Sequence, residues 1–544
     1  MKFRIDNQEM ELESPVSILE AARRIGIEIP ALCYQGGMEH FTSCMICVVK
    51  EKKSGRLLPA CSAPVAEGME IETGNDEVRA FRKSTLELLL SDHVGDCEAP
   101  CQRLCPLHME IPRMIRETLG GRLEDAIQTV RRDIAIPSIL ERFCNVPCER
   151  GCRRGKHDEP ISIRQLTRHA ADWDLRRESP YIPPRQAPLS GKRVAIVGAG
   201  ATGLAASHYL SVLGHSCTVL ERSGRLGGRI EAEFKREIEG WVAEGELRIL
   251  RALGVEFQFN ATLGASVLLP DLRERFDAVL IACGKSDPAA LAALGLPAGE
   301  KGLKVNPATW QTEMPSVFAA GSVLKPGQPL IKSVIAAKEA AACIDQHLRG
   351  VPVVGIVEMY NHIMGRLLEG EMEVFLGNAS PIPRVVPSGG EEAGYPAQEA
   401  ATEATRCLHC DCRAKDDCLL RIYSDEYDAK QSQFAGEERA GHTQLNQQGQ
   451  ALYEPGKCIK CGLCVRVTEK EGEPIGFAYV GRGFDVKIGA ALDKPVSEAM
   501  GHVVEKVVAA CPTGALAINE KGCGGGCCGG GQCAPPAPAP PPPP

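Results

Sequence analysis

The sequence predicts a multidomain chain in which one parallel α/β fold stands among smaller α/β and α+β units. Three observations carry that prediction. Residues Lys192 to Gly228 run strand, glycine turn, helix and strand in the register of a βαβ unit. Twenty-five cysteines lie mostly in tight groups on both sides of that unit. Segments rich in proline and glycine, 178–190 and 380–396, separate these parts as linkers do.

In the βαβ unit, KRVAIVGAGATGLAASHYLSVLGHSCTVLERSGRLGG, Val194–Val197 reads as a buried strand and Cys217–Leu220 as a second. Gly198, Gly200 and Gly203 follow the first strand in the order G-x-G-x-x-G. Gly198 permits the tight turn, Gly200 lets the backbone approach a pyrophosphate, and Gly203 allows close helix–strand packing. Ala201 begins a helix whose free N–H groups and positive dipole end face the phosphates. Glu221, at the end of the second strand, stands where a carboxylate accepts both ribose hydroxyls of an adenosine, and Gly227 and Gly228 end the stretch. A glycine-rich turn in an empty α/β domain is the competing reading, but it does not require strand, helix and acid in register.

The length of 544 residues gives room for roughly three to five domains of ~100–200 residues. Net charge is −8 with no long basic block, which argues against nucleic acid and anionic membranes as partners. No apolar run approaches the ~20 residues that span a bilayer, and the N-terminus has no apolar secretion segment, so a cytoplasmic chain is expected. In that setting the cysteine groups point to metal and not to disulfides, and repeated groups of three or four point to iron–sulfur clusters.

Residues 1–77 open with strands at Met1–Ile5 and Glu9–Leu12 and a helix at Ser17–Ile25. Cys33, Cys44, Cys47 and Cys61 follow as C-x10-C-x2-C-x13-C, a loop with a distant fourth ligand that suits a [2Fe–2S] cluster. Buried thiols of a small core are the plainer alternative. The words GIEIPALC, CMICVV and ACSAPVAEGMEIET resemble the N-terminal ferredoxin domain of the large iron–sulfur subunit of complex I and of multisubunit hydrogenases. That resemblance implies a β-grasp [2Fe–2S] domain.

Residues 78–180 are expected to form a helical domain. An amphipathic helix leads to His93, and the run His93-x3-Cys97-x3-Cys101-x3-Cys105-Pro106 departs from the complex I spacing, H-x3-C-x2-C-x5-C. APCQRLCPLHMEIPRMI, together with Cys144, Cys148 and Cys152 in RFCNVPCERGCRRG, is similar to the N-terminal domain of the glutamate synthase small subunit and of dihydropyrimidine dehydrogenase. The resemblance implies two [4Fe–4S] clusters interleaved between the two groups. Two clusters need eight ligands, and the six cysteines with His93 make seven. The family's eighth ligand, a Glu or Gln, falls at Thr167, with Gln165 the nearest alternative. One cluster is therefore expected to be complete and a second to need another donor. His93 is counted as a ligand, with a solvated helix-end histidine as the rival reading.

Residues 190–350 continue the resemblance to the glutamate synthase small subunit, which implies FAD as the dinucleotide. AVLIACGK, with Gly284, stands where the family has a strand ending in a small-residue turn against the flavin. VFAAGSV, with Gly321 and Ser322, stands at its second flavin strand, where the family writes Asp in place of Ser322. The next helix, carrying Lys332, is expected to bring positive potential to the isoalloxazine. The segment between Gly284 and Val317 is too short for the family's NAD(P) domain of ~100 residues, so FAD is expected without a nicotinamide site.

Residues 351–428 are expected to be a helical connector, with a helix over Gly355–Leu376, ending in Cys407, Cys410, Cys412 and Cys418. These four are one cluster's worth of ligands, [4Fe–4S] being preferred over zinc. In residues 440–522, Cys458, Cys461 and Cys464 with the remote Cys511-Pro512 form a ferredoxin half-motif for one [4Fe–4S] cluster. This part again resembles the complex I subunit and related hydrogenases. The tail 523–544 has the composition of a disordered linker, with Cys523, Cys527, Cys528 and Cys533 as free thiols.

The expected cofactors are thus FAD, one [2Fe–2S] cluster and three or four [4Fe–4S] clusters. No Ser–His–Asp set, catalytic metal motif or substrate pocket can be read from the chain. The expected role is an electron-transfer iron–sulfur flavoprotein subunit of a soluble multisubunit oxidoreductase of anaerobic metabolism. The resemblances imply a catalytic partner of formate dehydrogenase or hydrogenase type, and a flavin-containing NADH dehydrogenase subunit or a ferredoxin as second partner. NAD(P)-linked and electron-bifurcating forms of that role both stay open. Two rivals stand beside it: a self-sufficient NAD(P)H-dependent oxidoreductase, and a non-catalytic iron–sulfur assembly scaffold whose dinucleotide fold is empty.

Overall fold

The computed structural model describes residues 1–39, 41–228, 238–296, 298–299, 302–436, 438–447 and 449–519. Cys523, Cys527, Cys528 and Cys533 of the tail expected to be disordered, and most of the segment after Gly228, lie outside the described residues.

The chain opens with an antiparallel pair, β1 (Lys2–Ile5) and β2 (Gln8–Glu11), joined by Asp6 and Asn7, both at positive φ. Two such residues give the hairpin turn whose twist matches the strands. In α1 (Ile18–Arg24) the Glu20 N–H donates to the Ser17 hydroxyl at 3.2 Å, a helix start written as S-x-x-E. With β3 (Val48–Glu51), β4 (Leu57–Pro59) and β5 (Glu70–Glu72) the strands form a sheet of order β2-β1-β5-β3-β4, in which β1 and β5 are parallel. Phe3, Ile5, Val49 and Ile71 fill its core with Leu19 and Ala22 of α1.

The next helix, α2 (Asp76–Ser91), is capped by Asn75, which accepts the Val78 N–H at 2.9 Å. It buries Val78, Arg82, Leu86 and Leu90, one stripe at i+4 spacing. Leu86 and Leu90 pack among Leu463, Val467 and Val507 of the C-terminal unit. Arg82 donates to the Tyr427 hydroxyl at 2.9 Å and to the Val48 carbonyl at 2.8 Å. One helix therefore joins the two ends of the chain.

Six helices follow: α3 (Pro100–Leu104), α4 (Ile111–Leu119), α5 (Leu123–Asp133), α6 (Pro137–Phe143), α7 (Pro147–Arg150) and α8 (Ile163–Leu175). Four of them, α3, α4, α6 and α7, carry proline in the first turn, where its missing N–H is tolerated.

The α/β fold contains β6 (Arg193–Val197), α9 (Ala201–Val212), β7 (Ser216–Glu221), α10 (Gly240–Ala252), β8 (Glu256–Phe259), α11 (Leu269–Arg275) and β9 (Ala278–Ile281). It closes with α12 (Pro288–Ala293), the small pair β10 (Ala298–Gly299) and β11 (Gly302–Leu303), β12 (Val317–Ala319) and α13 (Leu330–Leu348). Its main sheet is parallel with order β12-β9-β6-β7-β8. Because β9 and β12 are direct neighbours, only α12 and the small pair occupy the crossover between them. Among the described residues there is no second sheet of dinucleotide-binding type.

The helical unit and the α/β fold share one core, in which Leu140 and Leu166 meet Leu204, Val242 and Ile344. Buried ion pairs cross the same boundary: Arg131 bonds Glu246 at 2.9 Å, and Arg142 bonds Glu239 at 2.7 Å as well as Asp172 of its own unit. A fully buried arginine requires such partners.

The expected helix over Gly355–Leu376 is present only as α14 (Glu371–Leu376). Residues 351–370 form no helix or strand, and Gly355 has φ +77°. Side chains and backbone elsewhere satisfy this segment. The Cys97 N–H donates to the His362 carbonyl, the Met364 N–H to Asp96, and the Tyr360 N–H to Asp425. Those bonds hold the segment extended against the cysteine loops and replace the ladder a helix would have supplied.

The C-terminal part holds α15 (Ala397–Ala404), α16 (Leu419–Glu426), β13 (Ala451–Tyr453), α17 (Leu463–Lys470), β14 (Phe477–Val480), β15 (Lys487–Ala490), α18 (Val496–Met500), α19 (Val504–Ala510) and β16 (Leu516–Ile518). Here β13 pairs with β16 and β14 with β15, both antiparallel.

Candidate functional site

The glycines of the α/β fold divide into those the protein needs and those a ligand needs. A Cβ on Gly203 would stand 1.8 Å from the Gly198 carbonyl oxygen, so α9 can approach β6 only through glycine. Gly198 has φ +110° and its Cβ would meet the Ala282 carbonyl at 2.5 Å. Gly200, at the start of α9, faces nothing within 4 Å. Its missing side chain leaves room where the free amides of the helix point. Gly228 lies close behind it, with a would-be Cβ 3.2 Å from the Gly200 Cα.

A cavity opens at this point. Gly198, Gly200, Ala201, Glu221, Gly227, Gly228, Gly284 and Ser322 all line it. Glu221 is buried and fixed: the Ala199 and Ser223 N–H groups and the Ser223 hydroxyl each donate to it at 2.8 Å. Gly203 and Gly321 support the wall, since Gly321 has φ +80° and gives way to the Thr202 hydroxyl.

Lys332 departs from expectation. It is exposed on α13 and does not line the cavity, whereas its neighbours Leu330 and Ser333 do. The helical rotation of 100° per residue turns Lys332 outward while the helix start still faces the cavity. Arg222 and Lys285 line the cavity and bring the positive charge that Lys332 does not. Both directly follow a predicted site residue, Glu221 and Gly284, and adjacency was the one available signal for them.

The cysteines assemble into sets that cut across their grouping in the sequence. Cys33, Cys44, Cys47 and Cys61 are buried together, as expected. Hydrogen bonds from Cys44 and Cys61 hold the Cys33 thiol low, and Cys61 also bonds Cys47.

The second set is Cys101, Cys152, Cys407 and Cys410. Burial pushes the Cys101 thiol well up, and Cys152, Cys407 and Cys410 push it further; Cys410 has Cys407 and Cys152 as neighbours in turn. The third joins Cys105, Cys144 and Cys148: burial raises Cys148 first, then Cys105, Glu141 and Cys144. The fourth joins Cys97, Cys412 and Cys418. Burial takes Cys412 up to about 12 and Cys418 up to about 11, with Cys97 a neighbour of both. The fifth is the expected Cys458, Cys461, Cys464 and Cys511.

The run of His93, Cys97, Cys101 and Cys105 is therefore split between three sets, and the run Cys407 to Cys418 between two. The cause lies in the anchoring of the 407–418 loop. Asp411 takes two bonds from buried Arg116, at 2.9 and 3.0 Å, and the Cys412 N–H donates to the Cys97 carbonyl at 3.1 Å. Cys410 is thereby left beside Arg153 and Cys152 while Cys412 goes to Cys97. Gly514 completes the fourth set's surroundings, as a Cβ there would stand 2.1 Å from the Cys412 sulfur.

His93 lies at the fourth set. Its ring meets that of His362 with centroids 4.6 Å apart, its Nδ1 is buried with no hydrogen-bond partner among the described residues, and burial, His362 and Lys457 all disfavour its charged form. Lys457 is itself buried. Burial opposes its charge, but Cys412, Glu454 and Cys97 outweigh that and raise its pKa. Thr167 and Gln165, considered as an eighth ligand, face elsewhere. The Thr167 hydroxyl donates to the Ile163 carbonyl at 2.9 Å, and the Gln165 amide donates to Glu391 at 2.8 and 3.0 Å.

Each set lies within electrostatic reach of the next. Cys461 has Cys33 as a neighbour, Cys418 has Cys511, Cys410 and Cys412 are two residues apart, and Cys101 has Cys148. Cys105 is in turn a neighbour of Tyr209 on α9.

The donor chemistry fits polynuclear iron. Outside the first set, burial raises the thiols of Cys97, Cys101, Cys144, Cys148, Cys410, Cys412 and Cys464 above their ordinary range, and cations among them would favour the thiolates. Among the described residues no three cysteine, histidine or carboxylate side chains converge on a single ion, as a tetrahedral zinc at about 2.3 Å from each sulfur requires.

Three domain families match the chain. Residues 1–76 match the 2Fe-2S iron-sulfur cluster binding domain, residues 91–179 the family described as dihydropyrimidine dehydrogenase domain II, 4Fe-4S cluster, and residues 166–341 the pyridine nucleotide-disulphide oxidoreductase family. The NADP(+)-dependent formate dehydrogenase subunit beta of Moorella thermoacetica is 35% identical over 207 residues, 34% of this chain and 29% of the relative. The NADPH-Fe(3+) oxidoreductase subunit beta of Geobacter sulfurreducens is 30% identical over 262 residues, 46% of this chain and 38% of that protein. The small chain of glutamate synthase [NADPH] from Mycobacterium tuberculosis is 36% identical over 195 residues, 35% of this chain and 39% of its own. The chain thus spans less than half the length of each of these relatives. It carries iron–sulfur domains of both types and a flavoprotein-type oxidoreductase domain. Among the described residues no helix is long and apolar enough to cross a membrane.

Proposed function

We propose that this chain is the iron–sulfur flavoprotein relay subunit of a cytoplasmic, multisubunit oxidoreductase. The observation that carries the reading is the unbroken order of donor sets from Cys33 through Cys461, Cys418, Cys410 and Cys101 to Cys105 beside α9. In this reading a β-grasp domain, residues 1–77, holds [2Fe–2S] on Cys33, Cys44, Cys47 and Cys61. Four [4Fe–4S] clusters take the other sets, with His93 joining Cys97, Cys412 and Cys418. FAD takes the cavity over Gly200, with Glu221 on its ribose and Ser322 toward its ribityl chain. When bound, the flavin exchanges two electrons for single ones and the clusters carry single electrons.

The protein's part is to hold, insulate and bias. The cysteines of the first and fourth sets are buried throughout, and each of the others holds buried and half-buried sulfurs together. Lys457 offsets the negative charge of the fourth set, which raises the reduction potential there. The short crossover between β9 and β12 leaves the nicotinamide to another subunit. Relatives named as subunits of a formate dehydrogenase and of an NADPH-Fe(3+) oxidoreductase support a catalytic partner of formate dehydrogenase type, with hydrogenase type as the rival, and a nicotinamide-handling partner.

Anaerobically purified chain tests this. We expect one FAD and about 18 irons per chain, and no rapid reduction of a dye by NADPH or NADH unless partners are added. Rapid NADPH-driven dye reduction by the chain alone would make it self-sufficient. Full iron with no flavin would make it a scaffold.

A further inference from the structure

The three sets between His93 and Cys418 need twelve donors, and ten cysteines with His93 supply eleven. The shortfall falls on Cys105, Cys144 and Cys148. We infer that Glu141 is the fourth ligand of this set, binding iron through a carboxylate oxygen from the end of α6. The inference rests on the cluster assignment proposed above.

Glu141 sits in the last turn of α6, three residues before Cys144, the helix's C-cap. Positions i and i+3 share a helix face, so the carboxylate and the Cys144 sulfur leave the helix on the same side. Glu141 is only 7% exposed and makes no hydrogen bond and no ion pair among the described residues. A carboxylate buried that deeply is normally paired or metal-bound. Arg164, the cation that acts on it, instead bonds Glu391 at 2.6 Å. Its charged neighbours are Arg164 and Glu149, and Glu141 in turn is the one carboxylate that bears on all three thiols, Cys105, Cys144 and Cys148.

The donor thus lies before the second cysteine group, whereas the related domain takes its non-cysteine ligand after it. Thr167, at that later position, is spent on its own helix; Gln165 is held at Glu391 through its Nε2, and its buried Oε1, without a hydrogen-bond partner among the described residues, lies toward Gly394 of the connector. An oxygen ligand also makes this iron the most easily lost of its cluster, since carboxylate is a harder donor than thiolate.

The test uses the full chain purified without oxygen, as wild type, Glu141→Leu, Glu141→Cys and Gln165→Ala. Leucine matches the volume of glutamate and suits a buried helix position, so the fold is retained. Iron and acid-labile sulfide per chain are measured, with electron paramagnetic resonance before and after mild oxidation. We expect Glu141→Leu to lose about one iron per chain and to show a [3Fe–4S] signal, Glu141→Cys to restore the iron and abolish that signal, and Gln165→Ala to match wild type. Wild-type iron and spectra in Glu141→Leu would overturn the assignment. So would loss in Glu141→Leu that cysteine fails to rescue, which marks packing, and loss confined to Gln165→Ala. A wild-type chain without [4Fe–4S] signals would instead overturn the relay reading beneath it.

Discussion

Replacing Gly200 and Gly203 separately with alanine distinguishes a dinucleotide site from a glycine-rich turn. At Gly203 the new methyl carbon would lie 1.8 Å from a backbone carbonyl oxygen. Ordinary contact is about 3.4 Å or more, so α9 must retreat from β6 by more than an ångström in the middle of the shared core. Overpacking of that kind costs about 1–3 kcal/mol, and more when backbone must move. At Gly200 the methyl meets nothing within 4 Å, and φ −78° with ψ −177° is open to any L-residue. The substitution is therefore neutral for folding, or stabilising by about 0.4–1 kcal/mol through the unfolded chain. Its methyl nevertheless occupies the approach to the pyrophosphate. The assay is flavin absorbance per chain together with thermal unfolding. Gly203→Ala should lose both flavin and several degrees of stability; Gly200→Ala should lose flavin and keep the wild-type unfolding curve. Full flavin in Gly200→Ala would refute the phosphate-site reasoning, and an unchanged unfolding curve in Gly203→Ala would refute the packing argument.

Two further outcomes follow from the same structure. Cys101→Ser combined with Cys407→Ser should remove the signal of one [4Fe–4S] cluster, whereas Cys407→Ser combined with Cys412→Ser should damage two; equal losses in the two double variants would contradict the division of that loop. His208, buried on α9, has its imidazole pKa lowered to about 3, by burial first and then by Arg131. A folded value below the unfolded value of about 6.5 stabilises the fold above pH 6.5, and that contribution is lost as pH falls toward 3. Between pH 7 and pH 5 the loss amounts to about 2 kcal/mol, so His208→Leu should flatten the thermal midpoint over that range, and parallel profiles would show that His208 plays no part.

The dinucleotide half was legible because its requirements are local. Strand, turn, helix and acid lie within 40 residues of one another, and each glycine stands where a Cβ would collide or where a ligand approaches. Lys332 was misjudged because one residue of helical rotation separates the cavity face from solvent, and Arg222 and Lys285 were passed over for want of a periodic signal. The helix expected over Gly355–Leu376 does not extend before Glu371, because bonds from residues 97, 96 and 425 decide that segment and none of them is near it in sequence.

What the sequence determined by itself is the inventory: a glycine fingerprint set between strand and helix, four cysteines in the first 77 residues, and further cysteine groups on both sides of the fingerprint. Spacing also grouped the first and last sets, each of which takes its fourth cysteine, Cys61 or Cys511, from farther along the chain. What only the tertiary structure decided is the pairing of the middle ligands and the order of the sets. Arg116 fixes Asp411 and so parts Cys410 from Cys412, α2 carries the N-terminal domain onto the C-terminal one, and Cys105 comes to stand by Cys148. Those choices come from long-range packing and buried polar pairs, which link residues 295 positions apart at Arg116 and Asp411 and 345 apart at Arg82 and Tyr427, and leave no mark in local spacing.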